Sequence, residues 1–279
     1  MNKLQLIDFD SRFAEYTRQW MEAHYDDFDD PDDMELEMPA VYQRFLDTPA
    51  DWLDGLKPGE YFHQWSDAHT LVSMMANYVD RRVSLPDMLL NRITELGEDA
   101  AESLQRLIED DDASNEKKML AITLLRELAS NLPMDRYIQW QCDREDQDEL
   151  CDNALESLEL MGEAVRLKML ESLEGSTDAG KEALLSVLTR YPGDERILEG
   201  LLRLIQIRPA RKALLAAYLG RLGDAGALPV LMELAQDEAL KYLDYIELRS
   251  AIEALGGEAP AREFYDDAEY EALFGIRDE

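Results

Sequence analysis

A short punctuation mark recurs along this chain and separates apolar stretches of helical spacing. Leu96-Gly97, Asn131-Leu132-Pro133, Met161-Gly162, Tyr191-Pro192-Gly193, Leu222-Gly223 and Leu255-Gly256 follow one another at intervals of 34, 31, 31, 30 and 33 residues. A fixed period in this range marks a stacked repeat. Each unit is one supersecondary element that cannot cover its own apolar face, so its neighbours must cover it. Between Leu85 and Gly257 the apolar residues keep a helical period, as in Met119, Leu120, Ile122, Leu124, Leu125 and Leu128, or Leu184, Leu185, Val187 and Leu188, each set assigned to one helix face. Every interval breaks once more, at Asp110-Asp111-Asp112, Arg144-Glu145-Asp146, Gly175-Ser176-Thr177-Asp178, Ile207-Arg208-Pro209 and Gln236-Asp237, with residues that start and stop helices. The pattern predicts an all-α fold, an α-solenoid of antiparallel helix pairs.

The phrases Leu222-Gly223-Asp224-Ala225-Gly226-Ala227-Leu228-Pro229-Val230-Leu231-Met232-Glu233-Leu234-Ala235 and Leu96-Gly97-Glu98-Asp99-Ala100 through Leu107 resemble the first helix of HEAT-like repeats of the bilin-lyase type. The resemblance covers residues 85–257, about five units, and implies a right-handed superhelix. It also implies a function drawn from a broad set, which includes scaffolds, adaptors, lyases and DNA glycosylases. Fold alone does not choose among them. The unit near Asn131 departs from the pattern: it has no Leu-Gly and carries Trp140 and Cys142, so irregular packing is expected there. HEAT-like di-iron hydroxylases carry repeated His-Glu pairs, and no His-Glu dipeptide occurs in this chain.

Residues 1–84 do not keep the period and read as an aromatic-rich helical N-terminal cap. Within residues 1–80 lie 13 of the 23 aromatic side chains. Terminal repeats must close a face that internal ones share, and aromatic rings do so efficiently. In a functional alternative, Trp52, Tyr61, Phe62 and Trp65 line a ligand groove. Residues 258–279 are acidic, with Phe264, Tyr265, Leu273, Phe274 and Ile276 among them. They read as a C-terminal cap on the last repeat, or as a tail lying in the groove.

Charge narrows the partners. The chain has 28 Lys and Arg against 61 Asp and Glu, a formal net charge of −33. Such a field repels phosphate backbones and anionic lipid headgroups, so neither nucleic acid nor membrane is an expected partner. A basic protein is an expected one. Cys142 and Cys151 lie nine residues apart with no Cys-x-x-Cys pair, and read as idle thiols in a reducing compartment. With no apolar run of membrane-spanning length and no leader-like pattern after Met1, the expected location is cytoplasmic.

Sites of chemistry are sparse. His63 and His69 are six residues apart, which turns them away from each other on a helix, and the third histidine, His24, is remote in sequence. The run Asp26 to Asp33 fails the calcium-loop pattern because Phe28 and Pro31 fall on ligand or turn positions. There is no Gly-x-Ser-x-Gly and no phosphate-cradling loop. No metal and no cofactor is expected.

One charge pattern stands out. Lys117 and Lys118, Lys181, Arg211 and Lys212, and Lys241 occupy the start of the second helix in four units. A cation there opposes the helix dipole and needs compensation. Either these side chains pair with the acidic turns as a ladder between units, or they form a cationic stripe that holds an acidic segment. The Asn131 unit interrupts the column with Asp148 and Glu149. The leading expectation is a non-catalytic scaffold or adaptor that binds a protein or peptide on one row of helices, with Lys118, Lys181, Arg211, Lys212, Lys241, Trp52, Tyr61 and Trp65 as candidate contacts. The alternatives are a small-molecule-binding or lyase-like protein with its pocket in the aromatic region and, more weakly, an acidic DNA mimic. The sequence leaves the partner's identity, the helix row used and the oligomeric state open.

Overall fold

The computed structural model describes residues 6–28, 31–264 and 267–274. Asp29, Asp30, Tyr265 and Ile276, which belong to the acidic run and the C-terminal segment, lie outside the described residues. All regular structure among the described residues is helical. The chain divides into two compact units, residues 1–133 and 134–279.

Unit 1 begins with α1 (Phe9–His24), α2 (Pro31–Leu36) and α3 (Met38–Asp47). Two 3-10 segments, Asp51–Leu53 and Pro58–Gln64, then lead to α4 (Ala68–Arg81), α5 (Asp87–Glu95), α6 (Glu98–Glu109) and α7 (Asn115–Glu127). Side-chain caps start several of them: the Ser11 N–H donates to Asp8 at 2.9 Å, that of Thr70 to Asp67 at 2.8 Å and that of Lys117 to Ser114 at 3.4 Å. α4 begins at Ala68 because the Asp67 cap fixes its first turn. α4 packs against α5, α6 and α7, and α1 against α3. Tyr78, fully buried on α4, clamps the chain entering α1: its hydroxyl donates to the Ile7 carbonyl at 2.9 Å and accepts from the Ile7 N–H at 3.3 Å. Burial pushes that phenol up to about 12.

Unit 2 holds α8 (Met134–Asp143), α9 (Glu149–Leu160), α10 (Glu163–Ser172), α11 (Asp178–Leu188), α12 (Glu195–Ile207), α13 (Lys212–Leu222), α14 (Leu228–Leu234), α15 (Tyr242–Ala254) and α16 (Ala268–Phe274). The packing is solenoid-like. Alternate helices α9, α11, α13 and α15 each touch the next in the row, and each pairs with a helix of the other row. α11 lies at the centre, against α8, α9, α10, α12 and α13. The periodicity places only one face of α11 inside, but every residue from Glu182 to Thr189 is buried. Ser186 and Thr189 survive there because their hydroxyls donate to the Ala183 and Ser186 carbonyls of their own helix, each at 2.7 Å.

The Leu-Gly marks are helix stops with a common backbone cause. Gly97 and Gly162 have φ of 57° and 66° with ψ near the extended value of opposite sign, −121° and −142°, a region that a side chain excludes. The unit that begins near Asn131 has its stop displaced, not missing. Ala129 takes φ 50°, the Ala129 N–H donates to Arg126 O and the Ser130 N–H to Leu125 O, each at 3.0 Å. Leu128-Ala129 therefore stands where the other units have Leu-Gly. The α8–α9 hairpin that follows has a polar interior. Gln141, fully buried, donates to the Cys151 carbonyl at 2.8 Å and accepts from Arg144 at 3.0 Å, while Arg144 also reaches Asp152 at 2.5 Å.

The described part of the C-terminal segment packs on α15. Phe264 is buried with its ring centroid 5.3 Å from Tyr242 and 5.2 Å from Tyr245. Arg262 donates to the carbonyls of Asp237, Glu238 and Leu240. Asp267 caps α15 from 25 residues away by accepting from the Tyr242 N–H at 2.8 Å.

Candidate protein-docking site

The cation column is a row of paired and unpaired side chains. Arg211 binds Glu182 at 2.5 Å, Lys212 binds Asp237 at 3.3 Å, and Lys241 stands 3.9 Å from Glu269. Lys181 lies 3.9 Å from Asp178 of its own first turn. Lys117 binds Asp80 at 2.6 Å, whereas its neighbour Lys118 makes no ion pair among the described residues. Arg211 and Lys212 thus reach acids of the helices before and after their own, as a ladder between helix pairs would require.

The strongest rung was hidden in the sequence. Glu182 sits on α11, where helical spacing gives no sign of charge compensation, and its side chain is 9% exposed. Arg208, which reads only as a helix break before Pro209, binds it at 2.7 Å and also binds Asp146. Arg211 closes the other side. A carboxylate this buried requires such partners, because an unpaired one would lose far more in desolvation than it gains in packing. The hydrogen bonds that Arg211 donates to Glu182 raise its guanidinium above its ordinary value. Tyr218, on the next turns of α13, is raised first by burial and then by the Glu182 charge.

Beside this rung lies a cleft of about 420 Å³ between α10, α11 and α12. Leu170, Leu173, Leu185 and Leu204, all buried, make its floor. Gly200 lines it too: a Cβ there would stand 3.0 Å from the Leu185 side chain, so glycine lets α12 close against α11. Lys181 and Arg203 extend over the floor from α11 and α12, and Ile207, 50% exposed, continues the apolar strip to the rim. Arg203 makes no hydrogen bond or ion pair among the described residues. Arg196, also at the cleft, is held by Asp194 at 2.8 and 2.9 Å, and that bond lowers the Asp194 carboxyl. Glu174 and Glu199 complete the rim. The cleft thus combines an apolar floor with both cationic and acidic side chains among its lining residues.

The aromatic candidates are occupied with one another. Phe9 lies at 5.8 Å from Trp52, 5.6 Å from Tyr61 and 5.8 Å from Phe62; Trp65 meets Tyr61 at 5.4 Å, and Phe45 stacks on Trp52 at 6.5 Å. Arg12 covers the Trp52 ring at 5.2 Å. Burial alone raises the Tyr61 phenol. Among the histidines, His24 stacks on Trp20 and His63 lies 3.3 Å from Glu95. No group of three or more metal-ligating side chains comes together among the described residues. Cys142 and Cys151 are free thiols. Cys151 is buried, donates to the Trp140 carbonyl and is pushed up to about 12 by burial, which leaves its thiol unreactive.

No helix among the described residues is long and apolar enough to cross a membrane. Compared with protein-family models, curated proteins and solved structures, the chain has no significant match.

Proposed function

We propose that this protein is a non-catalytic scaffold that holds a segment of another protein against a row of stacked helices, and that its repeats are of the HEAT-like kind. The observation that carries the reading is the cleft at Lys181 and Arg203. It runs over three consecutive helices and combines a leucine floor with a cation, Arg203, that has no partner among the described residues. A cleft open to solvent and lined by charge at its rim fits an extended chain better than a small molecule, which buries most of its surface when bound. The bound segment would carry an apolar residue beside an Asp or Glu. Of the column identified in the sequence, Lys181 serves this site, while Arg211 and Lys212 serve the fold.

The test is affinity capture from source-cell lysate with the wild-type chain and with a Lys181→Glu, Arg203→Glu variant, at low and high salt. A dominant protein retained by the wild type, released by salt and lost on charge reversal supports the scaffold. Equal retention by both chains places the partner elsewhere and sinks the assignment of this cleft. The lyase-like reading has no comparable support, since Trp52 and Tyr61 pack their rings on Phe9, and Trp65 packs on Tyr61.

A further inference from the structure

Unit 1 carries a second surface, of opposite sign. Along α1 and the turn that follows it, Phe13, Ala14, Thr17, Met21 and Tyr25, with Asp10, Glu22 and Asp26 beside them, make up one open face. These positions recur at the helical spacing of three and four and so form one continuous stripe, beside the face that buries Phe9 and Trp20. Met21 is 42% exposed and Tyr25 75% exposed. Both stand in water on a helix whose inward face is already covered, which is the pattern of a helix with a second packing partner.

The charge of this face selects that partner. Asp10 lies at its first turn, and Glu22 and Asp26 follow one edge, where Glu15 joins them one turn and more upstream. Arg18 is the one cation on this face among the described residues, and it is neutralised by Glu15 at 2.7 Å and Glu22 at 3.0 Å. A second copy of this chain is a poor occupant. Antiparallel pairing of two α1 helices about Arg18 sets Asp10 against Asp26 of the second copy, and like charges directly apposed are destabilising.

We propose that this face of α1 docks an amphipathic helix of another protein whose apolar stripe is flanked by Lys or Arg. The mode is helix against helix face, with anchors spaced three and four residues apart laid on Ala14, Met21 and Tyr25 and basic side chains reaching Glu22 and Asp26. This surface is independent of the cleft at Lys181. One protein would then present a cation-bearing cleft and an acid-edged helix face, on different units, to segments of opposite charge.

The experiment titrates the full chain into two labelled model helices, each about as long as α1 and sharing one leucine stripe, the first flanked by lysines and the second by glutamates. Fluorescence anisotropy is read for the wild type, for an Ala14→Gln, Met21→Gln variant that leaves the net charge unchanged, and for a Leu167→Gln control at an exposed apolar residue of unit 2. The lysine helix should bind, the glutamate helix should not, and the double variant should weaken binding about tenfold while the control does not. Should the double variant lose helical circular dichroism, Tyr25→Ser, at a site three-quarters exposed, serves in its place. Equal affinity of wild type and variant would reduce the effect to the general field of the protein and overturn the proposal. So would no binding, or a wild-type dimer in sedimentation equilibrium that the double variant abolishes, since the occupant would then be a second copy.

Discussion

Phe9 in unit 1 and Glu182 in unit 2 each fasten three stretches of chain, and they do so with different physics. Phe9 is met by Trp52, Tyr61 and Phe62 through tilted and edge-on rings at 5.6 to 5.8 Å. Glu182 is met by Arg208 and Arg211 at 2.7 and 2.5 Å, with Asp146 on the far side of Arg208. The ring cluster sits where the chain has no repeat and must fill irregular space, and non-directional apolar burial tolerates irregularity. The ion cluster sits where helix pairs repeat. There, directional bonds can set the register of one pair against the next.

The contrast sets the order of expected effects. Phe62→Ala should be the largest, since Phe62 is 1% exposed and its truncation leaves a cavity among three other rings: about 4 kcal/mol lost in urea unfolding. Glu182→Ala should follow at about 2 kcal/mol, because it leaves the guanidinium of Arg208, 14% exposed, with Asp146 alone, while Arg211, 48% exposed, recovers water. The sharper version replaces Arg208, Glu182 and Arg211 together by Met, Leu and Met. If the rung supplies register more than stability, the triple variant should stand within about 1 kcal/mol of wild type. A loss as large as that of Glu182→Ala would show the ion cluster to be a net source of stability, and the contrast with the ring cluster would fall.

The helix pairs were legible because their stops are chemical: a residue at positive φ is usually glycine, and glycine can be read. The stop at Ala129 escaped because nothing in an alanine announces φ 50°. Glu182 and Arg208 escaped for another reason. Helical period assigns faces to a helix with one buried side, and α11 is buried all round, so a charge on its supposed solvent face is inside. Lys181 stands out in the sequence by its place in the column, but Arg203, which lines the same cleft, lies mid-helix outside any pattern. Tyr25 disappears into the aromatic count and Met21 into the apolar one, because exposure is a property of packing that composition does not carry.

Ala129 permits a smaller test of the same difference between legible and hidden stops. Ala129→Gly should raise stability by up to about 1 kcal/mol by relieving the left-handed alanine, and Gly223→Ala, at φ 73° with open space around it, should lower it by a similar amount. If both substitutions destabilise, Ala129 contributes packing that offsets its backbone strain. The stop would then be an adapted one, not a degenerate Leu-Gly.

The smallest effect belongs to the C-terminal strap of unit 2, and its sign can be worked out. Asp267 is held below its ordinary carboxyl value of 3.8, first by the Tyr242 N–H and then by the N–H groups of Tyr270 and Glu269. Its folded value is depressed, so the cap contributes fully above the unfolded value and is lost as pH falls through the folded one. The rings around Phe9 do not themselves titrate in the acid range, and the nearby Asp8, also held low by the Ser11 N–H, caps α1 and accepts no hydrogen bond from an indole among the described residues. On acidification from pH 7 the Tyr242 amide shift in a nitrogen–proton spectrum should hold until below about pH 4 and then move, while indole signals of Trp52 and Trp65 should not follow it. Asp267→Asn keeps an acceptor for the Tyr242 N–H but removes the titration, so its amide shift should stay flat. If wild type and variant move together, the acid transition arises from global unfolding, and the strap is bound by Phe264 and Arg262 rather than by its charged cap.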